Sequence, residues 1–261
     1  MTALTVQTQH RGSISEIRLC RAEAHNALDT ALLRALDESI AEVACRSTTR
    51  VVIVSGQERV FCAGADLQAL VGHSPEDAQA YCELGTGVVD RLASLSAPTI
   101  AAVGGPALGG GFELVMACDV AVAASGAQFG LPEVQIGAIP SFGGVRRLCR
   151  RLGPSVAREL IYTGRTLSAA RAKEMGLVLD VVKSAELASY CEKLAERIAR
   201  NAPLALAAAK RLFVSDELGD SSAAQQARLE LMEAQRLIST SDWREGLTAR
   251  LSRRPPAFEG K

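Results

Sequence analysis

Histidine is scarce in this chain. His10, His25 and His73 are widely scattered, which argues against a metal site built on imidazoles. An excess of charge is also lacking: 29 Lys and Arg offset 29 Asp and Glu. That balance leaves no electrostatic footprint for nucleic acid or an anionic membrane surface. No apolar run approaches the roughly 20 residues that a bilayer crossing requires. The segment Met1 to Arg21 has no basic stretch leading into an apolar one, and no Arg-rich amphipathic pattern of a mitochondrial presequence. No Rossmann fingerprint or phosphate-binding P-loop is present. The seven cysteines are odd in number and none is spaced C-x-x-C. Cys20, Cys62, Cys118 and Cys149 lie in or beside apolar segments. They read as reduced, mostly buried thiols of a cytoplasmic protein, with Cys62 a packing residue. What remains is 261 residues, 48% hydrophobic and 22% charged. That composition fits one globular domain with a large core, or one domain plus an appendage.

The most informative stretch present runs from Pro106 to Leu114. Gly109, Gly110 and Gly111 lead into an apolar segment, Phe112 to Ala117, that is long enough for a short buried helix. Bare glycine amides and the positive end of a helix dipole would face whatever sits on the glycines. Such a place suits an oxygen that becomes anionic during a reaction. Glu113 falls on the first turn. The plain alternative is a glycine-rich turn with a solvated glutamate.

A second turn of small residues, Phe61-Cys62-Ala63-Gly64-Ala65-Asp66-Leu67, follows the β-like run 51–56. Two such turns can offer two N–H donors to one oxygen. A third segment, Phe129 to Gly144, sets Glu133 behind Pro132 in glycine-rich, mostly apolar surroundings. The plain reading of Glu133 is a helix-terminal glutamate steadying a turn.

These segments resemble the crotonase family, the enoyl-CoA hydratases and isomerases. The resemblance rests on Ala-Gly-Ala-Asp (63–66), Ala-Pro-Thr-Ile-Ala-Ala-Val (97–103), Gly-Gly-Gly-Phe-Glu (109–113) and Ala-Gln-Phe-Gly-Leu-Pro-Glu (127–133). Gly-Gly-Val-Arg-Arg-Leu (143–148), Tyr-Thr-Gly-Arg-Thr-Leu-Ser-Ala (162–169) and Ala-Lys-Glu-Met-Gly-Leu-Val (172–178) extend it. It runs from His25-Asn26-Ala27-Leu28 to the tail. It implies an α/β spiral of ββα repeats over residues 1–200, holding the CoA and catalytic site. A C-terminal helical region, 201–261, would mediate assembly into a homotrimer or a dimer of trimers.

The same resemblance implies a reaction: addition of water to a 2-enoyl-CoA, with no metal or redox cofactor beyond the CoA of the substrate itself. The oxyanion donors fall on the N–H groups of Ala65 and Gly110. The catalytic carboxyls fall on Glu113, which handles the water, and Glu133, which protonates Cα. Both acids are present, whereas simple isomerases of the family commonly keep one. The CoA cleft maps onto His25, Ala27, Ala63, Ala65, Asp66, Leu67, Gly109 and Gly110, with Phe258 at a neighbouring subunit's site. Asp66 reads first as a residue that orders its own turn.

Two departures bear on the substrate. Ser141 stands where many hydratases have glycine, near the water and the acyl group, and Gln68 where a lysine is common. Rival readings are an isomerase, or a hydratase of a branched or carboxylated acyl-CoA. More distant ones are a serine hydrolase, for which Ser141 has no recognisable histidine partner, and an inactive RNA-binding member, which zero net charge disfavours.

Beyond the motifs, hydrophobic periodicity predicts strands at 13–19, 51–55, 99–103, 120–124 and 177–182. It predicts helices at 29–43, with Asp29 as N-cap, and at 75–95, 187–200, 203–214, 221–238 and 242–251. Strands separated by helices argue for an α/β fold with largely parallel pairing.

Overall fold

The computed structural model describes residues 5–57, 59–218 and 222–261. The expected helix start at Ser221 and the first four residues lie outside these. Strands β1 (Val6–Arg11) and β2 (Ile14–Leu19) form a hairpin, followed by α1 (Thr30–Cys45), β3 (Val51–Ser55), α2 (Leu67–Leu70) and α3 (Pro75–Ala93). Next come β4 (Thr99–Val103), β5 (Ala107–Leu108), α4 (Gly110–Ala117), β6 (Val120–Ala124) and β7 (Gln128–Gly130). The order continues with α5 (Gly144–Leu152), α6 (Pro154–Thr163), β8 (Leu167–Ser168), α7 (Ala169–Glu174) and β9 (Asp180–Val182). Four helices close the chain: α8 (Ser184–Ala199), α9 (Pro203–Leu218), α10 (Ala223–Ile238) and α11 (Ser241–Leu251).

Six strands make one sheet in the order β1-β2-β3-β4-β6-β9, and β5-β7-β8 make a second, smaller one. Only the β1–β2 pair of the large sheet is antiparallel. Every residue of β3 and β4 is buried, because helices cover both faces; hence their apolar runs, interrupted only by Ser55 and Thr99 at the strand ends. One face packs Val52, Val54, Ala101 and Val103 into the main core with α1, α3 and α4. The other packs Val51, Ile53, Ile100 and Ala102 against Leu187, Cys191 and Leu194 of α8.

Local signals fix the helix starts. Asp29 caps α1 by accepting the Leu32 amide at 2.7 Å. Ser74 and Asp77 form a reciprocal capping box on α3, with Pro75 in its first turn. The expected strand 177–182 is shorter: only Asp180–Val182 pairs, while Leu177 and Val178 are buried in the preceding turn. Parallel strands carry the chain from β3 into the 61–65 turn and from β4 into the 109–111 turn, so both turns sit at the same edge of the sheet.

Candidate active site

The 61–66 turn is tied to the 25–28 segment by backbone alone. The Ala63 amide donates to the His25 carbonyl at 3.0 Å, Leu28 to Gly64 at 2.7 Å, and Asp66 to Leu28 at 3.0 Å. Leu28 thereby pairs with Ala65 as an isolated parallel bridge. The Gly64 carbonyl and the Asp66 amide on either side of Ala65 are engaged, and the Ala65 N–H, which points the other way, donates to no backbone carbonyl among the described residues. His25 and Asn26 both adopt left-handed backbone, with φ of 52° and 55°. The fully buried Asn26 side chain holds them there, accepting from Arg21 N and donating to the Phe61 carbonyl. Asp66 caps α2 through the amides of Gln68 and Ala69 and takes an Arg21 ion pair at 2.7 Å. That arginine chiefly holds the Asp66 carboxyl below the usual range.

Gly109 turns the chain from β5 into α4. Its φ of 50° with ψ of −129° is a conformation that only glycine adopts easily. A Cβ placed there would lie 3.7 Å from Gly64 Cα, so the two small-residue turns abut. Gly110 opens α4. Its N–H is one of the helix's unpaired amides and, among the described residues, also meets no backbone acceptor.

Glu113, on the first turn of α4, is only 1% exposed. Its Oε1 accepts two amides, from Phe142 at 2.8 Å and Gly144 at 2.6 Å. Burial pushes its carboxyl up to about 7, against the lowering effect of those amides; the charge of Glu133 pushes the same way as burial, and that of Arg147 opposes it. Glu133 begins a 3-10 turn, Glu133–Ile136, behind Pro132. Its Oε2 is buried with no hydrogen-bond partner, and burial raises this carboxyl too. A buried, unpartnered carboxyl oxygen beside unpaired amides is poised for a ligand rather than for the fold.

Of the remaining predicted residues, Ala63 and Leu67 are exposed beside the same turn, and Ala27 offers its carbonyl to Arg21 at 2.8 Å. Ser141 is exposed and adjoins Phe142, whose amide holds Glu113. Gln68 is an exposed residue of α2. Phe258 is not brought to this site within its own chain. Its carbonyl accepts from the Arg50 guanidinium and its ring lies beside Gly246. Arg50 precedes β3, whereas Ala65 and Gly110 lie past the opposite ends of their strands. Asp242 pins the tail further through the amides of Glu259 and Gly260. Arg254 is paired with Glu245 at 2.6 Å.

Sequence reasoning missed Arg21, Tyr81 and the amides of Phe142 and Gly144. The Tyr81 hydroxyl donates to the Leu28 carbonyl at 2.8 Å, so it braces the Ala65 bridge. Among the described residues no three His, Cys, Asp or Glu side chains gather as metal ligands would.

The architecture is that of the crotonase fold: an α/β spiral followed by C-terminal helices, with two glycine-rich turns meeting over buried acids. A crystal structure of enoyl-CoA hydratase from Bacillus anthracis matches with a TM-score of 0.94 and 37% identity, over 98% of this chain and all of that one. The sequence is 38% identical to 2,3-dehydroadipyl-CoA hydratase of Escherichia coli (strain K12), over the full length of both. It is 35% identical to a short-chain-enoyl-CoA hydratase of Clostridium acetobutylicum, over 94% of each. The enoyl-CoA hydratase/isomerase family model matches residues 9–261, and the chain belongs to that family.

Proposed function

We propose that this protein hydrates 2-enoyl-CoA thioesters. The observation that carries the reading is the meeting of buried Glu113 and half-buried Glu133, with its unpartnered Oε2, and the unpaired amides of Ala65 and Gly110. The thioester oxygen sits between the two N–H groups, which stabilise the charge that builds as water adds at Cβ. Each donor contributes roughly 3 kcal/mol to lowering the barrier. Both amides on Glu113 converge on Oε1, which leaves Oε2 for the water. Glu113 takes a proton from that water as its oxygen bonds to Cβ. Glu133, whose carboxyl burial raises above its ordinary range, delivers a proton to Cα as the enolate collapses. The two carboxyls then exchange protons for the next turnover. No electrons are transferred, so the reading requires no cofactor beyond the substrate's own CoA.

Exposed apolar side chains on α10 and α11, among them Leu231, Met232, Leu247 and Leu251, support assembly with further copies of the chain. Seven unpaired cysteines fit a reducing cytoplasm. Light scattering should give the mass of three or six chains of 27.5 kDa.

The test is loss of the 2-enoyl thioester absorbance with crotonyl-CoA, a longer 2-enoyl-CoA and 2,3-dehydroadipyl-CoA. Turnover of one of these by wild type, lost in Glu113→Ala and Glu133→Ala, supports the reading. Binding without hydration of any of them overturns it and leaves double-bond isomerisation on the same carboxyl pair.

A further inference from the structure

We propose that Arg147 is a positioning residue for Glu113: its buried guanidinium, locked to Asp90, holds the 141–144 turn so that two backbone amides fix one carboxylate oxygen. The inference deepens the hydratase reading and rests on it for its kinetic consequences, though not for its geometry.

Three successive peptide groups of this turn are each gripped. The Ser141 carbonyl accepts the Thr86 hydroxyl at 2.8 Å, while the N–H of that same peptide, on Phe142, donates to Glu113. The Phe142 carbonyl accepts Arg147 Nη1 at 2.8 Å. The N–H of the third peptide, on Gly144, donates to Glu113 at 2.6 Å. Rotation of any one peptide would pull an amide off the carboxylate. The guanidinium fills the inside of the turn: a Cβ on Gly143, whose φ is 95°, would lie 2.2 Å from Arg147 Nη1.

Arg147 itself is only 5% exposed, and a cation so buried needs a partner. Its Nη2 donates to Asp90 Oδ1 at 2.6 Å. Asp90 and Thr86 both belong to α3, which also carries Tyr81. The Tyr81 ring packs on Phe142 with centroids 5.7 Å apart. One helix therefore braces both the 25–28 segment that pairs with Ala65 and the turn that grips Glu113. The titratable and charged groups facing Glu113 are Glu133 from its 3-10 turn, Arg147 from α5 and Tyr81 from α3. Of these, Arg147 alone favours the ionised carboxylate. Replacing it removes a favourable charge and loosens two hydrogen bonds to the anion, so both effects shift Glu113 titration upward.

The experiment is carbon-13 NMR titration of the Glu113 carboxyl in glutamate-labelled full-length protein, assigned with Glu113→Gln. It is run on wild type, Arg147→Met, Arg147→Lys, Asp90→Asn and Thr86→Val. Arg147→Met should raise the titration midpoint by about one pH unit, with Asp90→Asn and Thr86→Val shifting it less in the same direction. Arg147→Lys keeps a charge but not the two-pronged contact, and should fall between. With an enoyl-CoA that wild type hydrates, kcat should fall ~10–100-fold in Arg147→Met while KM stays within about two-fold. The acidic limb of kcat should move with the NMR midpoint. Arg171→Gln, at an exposed arginine of α7 paired with Glu174, should leave the midpoint in place. An unmoved midpoint in Arg147→Met overturns the proposal. Should that variant fail to fold, unmoved midpoints in Asp90→Asn and Thr86→Val overturn it instead. If wild type hydrates nothing, the hydratase reading falls, while the titration still decides the positioning role.

Discussion

Glu133 Oε1 stands 2.9 Å from the point where a Cβ on Gly109 would lie. Gly109 is therefore constrained twice, by its backbone conformation and by the carboxyl pressed against it. Gly109→Ala should lower stability by about 1–3 kcal/mol through strain at that φ. It should lower kcat/KM ~100-fold by displacing Glu133 and the adjoining Gly110 amide. Gly126, where an added Cβ meets nothing, is the control: Gly126→Ala should leave kcat/KM unchanged. Equal activity of the two variants in steady-state assays would refute the assignment.

The two carboxyls differ in their surroundings, and that difference sets their roles. Glu113 is held by two amides, whereas Glu133 keeps a buried, unpartnered oxygen. Glu113→Gln and Glu133→Gln should each reduce hydration by ~100- to 10,000-fold. Exchange of the Cα proton with deuterated solvent should be lost in Glu133→Gln and retained in Glu113→Gln. The reverse pattern would swap the acid and the base. The double variant should be scarcely worse than either single one, since the pair acts as a unit.

Much of this is legible in the sequence, for identifiable reasons. β3, β4 and β6 are sandwiched between layers, so their runs are apolar but for Ser55 and Thr99 at strand ends, and their limits are plain. The turns at 61–66 and 109–111 stand out because such runs of small residues suit unusual backbone conformation and close approach of another backbone or a ligand. β1 was not legible: Val6–Arg11 reads VQTQHR, a strand whose residues are mostly half-exposed. β5, β7 and β8 are too short, at two or three residues, to show any period. Arg147 looks like one more cation in a run of them, and its burial depends on Asp90, 57 residues away. The clamp on Glu113 uses backbone amides, which leave no mark in the side-chain sequence.

Burial of Glu113 makes stability depend on pH with a definite sign. Its carboxyl is raised from an ordinary 4.5 to about 7. Between those values the folded chain keeps a proton that the unfolded chain has released. The contribution of this group is thus fully present below pH 4.5 and is lost as pH rises through 7. The span corresponds to at most roughly 3 kcal/mol. Glu113→Gln keeps an oxygen acceptor for both amides but does not titrate. In urea unfolding, the stability of wild type relative to Glu113→Gln should therefore fall from pH 4.5 to pH 7.5 and level off above. A flat difference across that range would mean that Glu113 is ionised in the folded protein throughout.

Lys210 connects the helices beyond residue 200 to the sheet. It is 5% exposed, and its Nζ reaches Asp119 Oδ2 at 2.8 Å and the Ala97 carbonyl at 3.1 Å. Asp119 follows α4 and also accepts the amide and hydroxyl of Thr99. One ammonium on α9 thus fastens the entry to β4 and the exit from α4, the helix that bears Glu113. Among the described residues, Lys210→Met would leave the Asp119 carboxylate with Thr99 alone. Because that side chain is 28% exposed, water recovers part of the loss. The destabilisation should be about 2 kcal/mol, less than for a fully enclosed pair. Lys210→Met combined with Asp119→Asn should regain part of it, since the stranded charge is gone. If residues 201–261 dock as one unit through this contact, Lys210→Met should also speed proteolytic cleavage in the 200–203 connection. Unchanged cleavage there, together with an unchanged unfolding midpoint, would show that α9 is held by its apolar packing instead.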